Sequence, residues 1–241
     1  MSPDPHAPTL SGPSASTLAA MLGAEMPDAE DLAPEAFELV ERVRDLVEAV
    51  VLTDVDADAR GTAAARIAEV TEALRAAQRP KDKVVQLVRH RNGRFEHMTQ
   101  AGSGRLNPQA PRIEYDDLPT PLQPGESREP LEITARVTLT AQHGGPPGRA
   151  HGGVVATILD QVLGVAASAS GPAGFTAGLD IRFRKATPYD VPLLIAARFV
   201  RREGRKTFAT AEIRVGDVVT AEATAVFVAD RSLNPDAGAH S

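Results

Sequence analysis

The residues most suited to chemistry sit in one stretch. His151-Gly152-Gly153 opens a strongly apolar segment, Val154 to Ala169, in which Thr157, Asp160, Gln161 and Ser168 are the polar exceptions and Asp160 alone is ionisable. Glycines at a helix start let a ligand approach the unpaired backbone N–H groups, and those donors with the helix dipole suit a developing oxyanion. A tight turn uses the same residues. A carboxylate among apolar neighbours needs a reason, either catalysis or an ion pair where the helix meets solvent. Gly153 and Asp160 are seven residues, or two turns, apart, which separates them by roughly 10 Å on one helix face. One carbonyl cannot touch both. Two such helices packed antiparallel about a two-fold axis would bring Gly153 of one near Asp160 of the other, so if both groups act the chain is expected to be an obligate dimer.

A second feature is charge. From Arg182 to Lys206 there are eight bases (Arg182, Arg184, Lys185, Arg198, Arg201, Arg202, Arg205 and Lys206) against Asp190 and Glu203. In a chain of net charge −6 this suits a polyanionic ligand, or else a charge-laced exposed sheet face. The overall balance argues against a general nucleic-acid or anionic-membrane binder. With no cysteine, disulfides, thiolate metal sites and a Cys nucleophile are excluded. There is no G-x-S-x-G elbow, P-loop, dinucleotide fingerprint or H-E-x-x-H pair. His90 with His97, and His143 with His151, lack metal-ligand spacing, so no metal is expected.

These residues need elements to position them. Residues 1–27, rich in Pro, Ser and Ala, and residues 231–241 are expected to be disordered tails. Residues 28–80 read as a helical extension, with one helix from Pro34 on which Phe37, Val40, Val43, Leu46, Val47 and Val50 recur at three- and four-residue steps, and a second from about Asp58 to Gln78. Between residues 28 and 60 eleven acids face three bases, the pattern of a solvated helix face. Residues 81–104 form a connector, with a short strand expected near Val84 to Arg91 and loop texture continuing to Glu129. Ile133, Ala135, Val137 and Leu139 alternate with polar residues as a half-buried strand. After the apolar helix come four strand-like runs, 176–186, 191–202, 206–215 and 218–229, read as a meander with turns at Thr187-Pro188, Glu203-Gly204 and Gly216-Asp217. The fold class is therefore α+β, an antiparallel sheet wrapping a helix that is apolar on every side and expected to be buried all round. That helix is too short and too polar to span a bilayer, and the start of the chain lacks a basic flank followed by an apolar run, so a cytoplasmic location is expected.

The segments PPGRAHGGVVATILDQVLG, FTAGLDIRFRKATPYD, REGRKTFATAEI and AEATAVFV together resemble the hotdog-fold acyl-CoA thioesterases, in particular the branch named for phenylacetate degradation. Gly104-Arg105-Leu106-Asn107-Pro108 is similar to the Asn-Pro start of these domains, although Gln109-Ala110-Pro111 replaces the usual continuation. The resemblance covers residues 105–230, the expected hotdog domain, and is silent on the extension, whose helices are expected to pack on the core or at an oligomer interface. It implies Asp160 as nucleophile or general base, an oxyanion hole at the N–H of Gly152 or Gly153, and His151 helping to fix the loop and the thioester carbonyl, with the backbone donor ranked above the imidazole. Thr176 would orient water or the carboxylate, though a β-branched residue also simply begins a strand. Arg205 and Lys206, with Arg182 and Arg184, would meet the coenzyme A phosphates. Coenzyme A is then part of the substrate, no separate cofactor is needed, and a homodimer or homotetramer is expected. Two other readings share the fold. A hydratase needs an Asp and His pair in a longer motif that the chain lacks, and a non-catalytic acyl-CoA binder would use the same pocket while the N-terminal helices carry an output.

Overall fold

The structure, a computed structural model, describes residues 27–80, 86–120, 131–170 and 174–229. Most of both expected tails lies outside the described residues. Helix α1 spans Pro34–Leu52, with Pro34 at its first turn, where a missing N–H costs nothing. Helix α2 spans Ala57–Arg75, starting where the Asp56 carboxylate accepts from the Ala59 N–H at 2.8 Å. The connector contains a small hairpin, β1 (Leu87–Arg89) with β2 (Phe95–His97), turned at Gly93, whose φ of 80° favours glycine. Strand β1 is shorter than expected, and its partner gave no signal because three residues are too few to show a period.

The main sheet contains β3 (Glu114–Tyr115), β4 (Glu132–Thr138), β5 (Gly174–Phe183), β6 (Pro192–Glu203), β7 (Lys206–Val215) and β8 (Val218–Ala229). Its order is β3-β4-β6-β7-β8-β5, with every neighbouring pair antiparallel. This corrects the expected four-strand meander. Only β6, β7 and β8 are consecutive, because α3 (Gly152–Ala169) carries the chain from β4 across the sheet face and delivers β5 to the far edge against β8.

The sheet offers α3 small side chains: Ala197, Ala209, Ala211, Ala221, Ala223 and Ala225 are buried. The helix answers with Val155, Ile158, Leu159, Val162 and Leu163, also buried. Large side chains from one layer fill the space left by small ones in the other, so a dense core forms with few aromatics. Seen in one chain, α3 is not buried all round, contrary to expectation. His151, Gly153, Thr157 and Ser168 are exposed and Asp160 is half-buried, which leaves a stripe along the helix uncovered.

The extension attaches through the first half of α1. Val40 is buried, the Arg105 guanidinium lies 5.1 Å from the centre of the Phe37 ring, and Arg44 donates to the carbonyls of Asn107, Pro108 and Ala110 while pairing with Glu41 at 2.8 Å. With its side chain 11% exposed, Arg44 is held by acceptors it satisfies, although burial lowers its pKa. Asn107, in the Asn-Pro pair, further ties the loop by donating to the Thr99 carbonyl at 3.2 Å.

Candidate active site

The approach to α3 is built from short polar links. Thr140 caps a one-turn helix, Ala141–His143, and its backbone N–H donates to His143 Nδ1 at 3.0 Å. Burial lowers the pKa of this imidazole, and its neutral form keeps Nδ1 free to accept. The His151 N–H then donates to the His143 carbonyl at 2.9 Å, Gly145 N–H to the Arg149 carbonyl at 2.9 Å, and Ala150 N–H to the Thr187 carbonyl at 2.8 Å. Gly145 is needed for close approach: a Cβ there would lie 2.8 Å from the His151 Cα. Gly148 has a φ of 75°, so it turns the Gly/Pro loop where other residues would be strained.

His151 is the N-cap of α3, and its Nδ1 accepts from the Gly153 N–H at 3.0 Å. That bond requires Nδ1 without a proton, which places the proton of the neutral ring on Nε2. It also separates the two donors left open by sequence. The Gly153 N–H is occupied, the Val154 and Val155 N–H groups donate to the His151 carbonyl, and the Gly152 N–H has no acceptor among the described residues. Gly152 therefore presents the uncommitted donor at a helix N-terminus.

Two turns along, Asp160 Oδ1 accepts from Thr176 Oγ1 at 2.9 Å. Strand β5 supplies this hydroxyl just before a register shift between Thr176 and Gly178. The structure thus brings Thr176 to Asp160, and Oδ2 of the carboxylate has no hydrogen-bond partner among the described residues. One chain does not bring Asp160 to Gly152, since both lie on the same rigid helix about two turns apart.

Beside Gly152 opens a cleft of about 390 Å³, lined among others by Arg149, Phe183, Arg184 and Lys185. A Cβ on Gly152 would come within 3.3 Å of the Phe183 ring. Arg184 pairs with Glu222 at 2.8 Å, whereas Arg149 and Lys185 have no acidic partner among the described residues. The basic run read from sequence is not one patch. Arg184 and Lys185 are at the Gly152 end, Arg182 sits 3.8 Å from Asp180 and lines a separate hollow on the sheet, and Arg205 lies at the opposite end of the strands. There its guanidinium donates to the Ala229 carbonyl at 2.9 and 3.1 Å, while neighbouring Lys206 is exposed. Arg149 lines the cleft beside Gly152 but gave no signal in the sequence, because a single basic residue in a Gly/Pro run carries neither period nor motif. Among the described residues no group of His, Asp and Glu could hold a metal ion.

Residues 147–222 match the thioesterase superfamily model. Acyl-coenzyme A thioesterase THEM4 of Bos taurus is 37% identical over 106 residues, 41% of this chain and 42% of that protein. THEM4 of Mus musculus is 38% identical over 94 residues, 38% and 39% of the respective chains. The chain therefore spans about two-fifths of the length of these curated relatives. The crystal structure of RHA08564, a thioesterase superfamily protein, superposes with a TM-score of 0.64 at 28% identity, covering 84% of this chain and 97% of the other. That coverage exceeds the expected hotdog domain alone, so the likeness takes in part of the helical extension. The chain carries a thioesterase-superfamily domain of the hotdog fold.

Proposed function

We propose that this protein hydrolyses the thioester of an acyl-CoA to the free acid and coenzyme A. The observation that carries this reading is the Asp160 carboxylate, held at one oxygen by Thr176 and open at the other, on a helix whose first N–H, at Gly152, is uncommitted. Asp160 takes a proton from water as the water oxygen attacks the thioester carbon, and the oxyanion rests on a Gly152 N–H. Collapse breaks the C–S bond, and the departing thiolate receives the proton from Asp160. The acid and the thiol leave, and the carboxylate is restored.

Because Asp160 and Gly152 of one chain are too far apart, the reaction uses two copies. Strand β5 supports that assembly. It is ten residues long, is paired on one side only, and exposes Phe175 by 61%. Antiparallel pairing of β5 with its copy would run the Gly174 end of one along the Phe183 end of the other. Gly152 lies beside Phe183 and Arg205 beside Ala229, the partner of Gly174 in the sheet, so this symmetry carries Arg205 and Lys206 of one copy toward the Gly152 cleft of the other. Arg149, Arg184 and Lys185 line that cleft, and together these cations complement the coenzyme A phosphates. Arg182 lines the separate hollow on the sheet instead, beside Asp180.

The test is thiol release from a panel of short, aromatic, medium and long acyl-CoAs, with Asp160→Asn alongside. Release that the variant loses by roughly a hundredfold or more supports the reading. Equal release by the variant removes Asp160 from the mechanism, and binding of acyl-CoA without any release makes the chain a binding module.

A further inference from the structure

Helix α1 has two parts with different surroundings. Its outer half and α2 form an arm whose apolar side chains stand in the open, among them Val50 and Val70. Its inner half is seated, and the seat leads to the active site. There α1 packs on the one-turn helix Ala141–His143. Arg44 and Glu48, four residues apart and so on one face of α1, both act electrostatically on the His143 ring. The same Arg44 guanidinium is anchored by three carbonyls of the loop 107–110, at 3.0 to 3.4 Å.

A helical turn of three residues cannot hold itself in place, so its position is set by what surrounds it. On the core side the chain enters from Leu139, which is fully buried and whose carbonyl accepts the Asp190 N–H at 2.7 Å. Within the turn, Thr140 and His143 close a reciprocal capping box. On the outer side α1 is the support. The His143 carbonyl then accepts the His151 N–H at 2.9 Å, and the His151 ring accepts the Gly153 N–H at 3.0 Å, which leaves Gly152 as the open donor. Two hydrogen bonds thus connect the turn braced by α1 to the start of α3.

We infer that α1 sets the position of the Gly152 oxyanion donor, with Arg44 and His143 as positioning residues that act through the His151 backbone. The inner half of the extension is then part of the catalytic unit, although neither α1 nor the turn lies within the residues 147–222 that match the superfamily. The donor role of Gly152 rests on the hydrolysis proposed above, whereas the coupling of α1 to the helix start can be measured without substrate.

Three full-length variants test both. His143→Ala removes the acceptor for the Thr140 N–H, His143→Asn offers an amide oxygen in place of Nδ1, and Arg44→Lys keeps the charge but cannot span three carbonyls. In thiol release, kcat is expected to fall roughly tenfold in His143→Ala and about threefold or more in Arg44→Lys, with KM within about twofold, because a displaced oxyanion donor is felt in the transition state. His143→Asn is expected to recover most of kcat. The double variant Arg44→Lys/His143→Ala should lose little more than His143→Ala alone, since both act through one turn. A merely structural role would lower the folded fraction and leave kcat per folded chain unchanged; that result, or no recovery in His143→Asn, overturns the inference. Without substrate, NMR of the Gly153 amide is expected to show exchange at least about fivefold faster in His143→Ala and Arg44→Lys than in the unsubstituted protein and His143→Asn. Unchanged exchange overturns the coupling whatever the kinetics show. Faster exchange in variants of a protein that itself releases thiol from no acyl-CoA leaves the coupling standing and removes the donor role with the reaction.

Discussion

At the scale of single residues, the site depends on backbone groups held by their neighbours. His151 serves α3 by accepting from Gly153, and this leaves Gly152 as the open donor. The position of His151 depends in turn on Gly145, where an added Cβ would meet the His151 backbone, a neighbour that cannot swing aside as a flexible side chain could. Gly145→Ala is therefore expected to lower kcat/KM roughly tenfold or more by shifting the helix start, with little change in thermal unfolding. Steady-state kinetics beside a melting curve separate these effects. His143 makes a different prediction. Burial lowers its pKa, and that of His97, from the ordinary 6.5, so the native state favours the neutral rings while the unfolded chain takes up protons near that value. Their contribution to stability is complete above pH 6.5 and is lost as pH falls through the lowered native values. Urea midpoints measured between about pH 7.5 and 5.5 are expected to fall with acid, and to fall less in His143→Gln.

At the scale of elements, what the sequence disclosed depended on length and period. Helices α1 and α2 and strands β6, β7 and β8 matched their expected bounds closely, because each is long enough to repeat its pattern several times. Strands β2 and β3, of three and two residues, had no such repeat to offer. The order of strands was hidden for another reason. Periodicity tells which face of a strand is buried but not which strand lies beside it, so β5 was placed next to β6 when it pairs with β8. Likewise, an all-round apolar pattern on α3 was legible, but one chain covers only part of it. The contact of Asp160 with Thr176 rested on family resemblance, since spacing across a helix and a strand fixes no distance. The alternation of large helix residues with small sheet residues yields a test at this scale. Leu163→Ala leaves a cavity that the neighbouring alanines cannot fill, and is expected to cost about 2–5 kcal/mol in denaturant unfolding. Ala209→Leu, on the facing sheet, is expected to destabilise by about 1–3 kcal/mol through overpacking.

At the scale of the whole molecule, the uncovered surfaces share a physical cause. An apolar arm is costly to leave in water, a ten-residue strand edge offers unpaired backbone groups to another chain, and a polar helix stripe containing Asp160 lies open; each runs along an element whose opposite side is already satisfied or remote from the core. The β5 edge is the one on which the proposed chemistry depends. If pairing of β5 with its copy assembles the site, Phe175→Asp should weaken association, because it places a charge where an exposed ring would be buried. Phe175 makes no contribution to the core of its own chain, so the monomer should keep its circular dichroism. Sedimentation equilibrium is then expected to show a lower mass at concentrations where the unsubstituted protein is associated, and turnover per chain should fall as the sample is diluted. Recovery of turnover at high concentration would tie activity to assembly. A fully active monomer would require Asp160 and Gly152 to act within one helix, which their separation of about two turns does not permit, and the two-copy site would have to be abandoned.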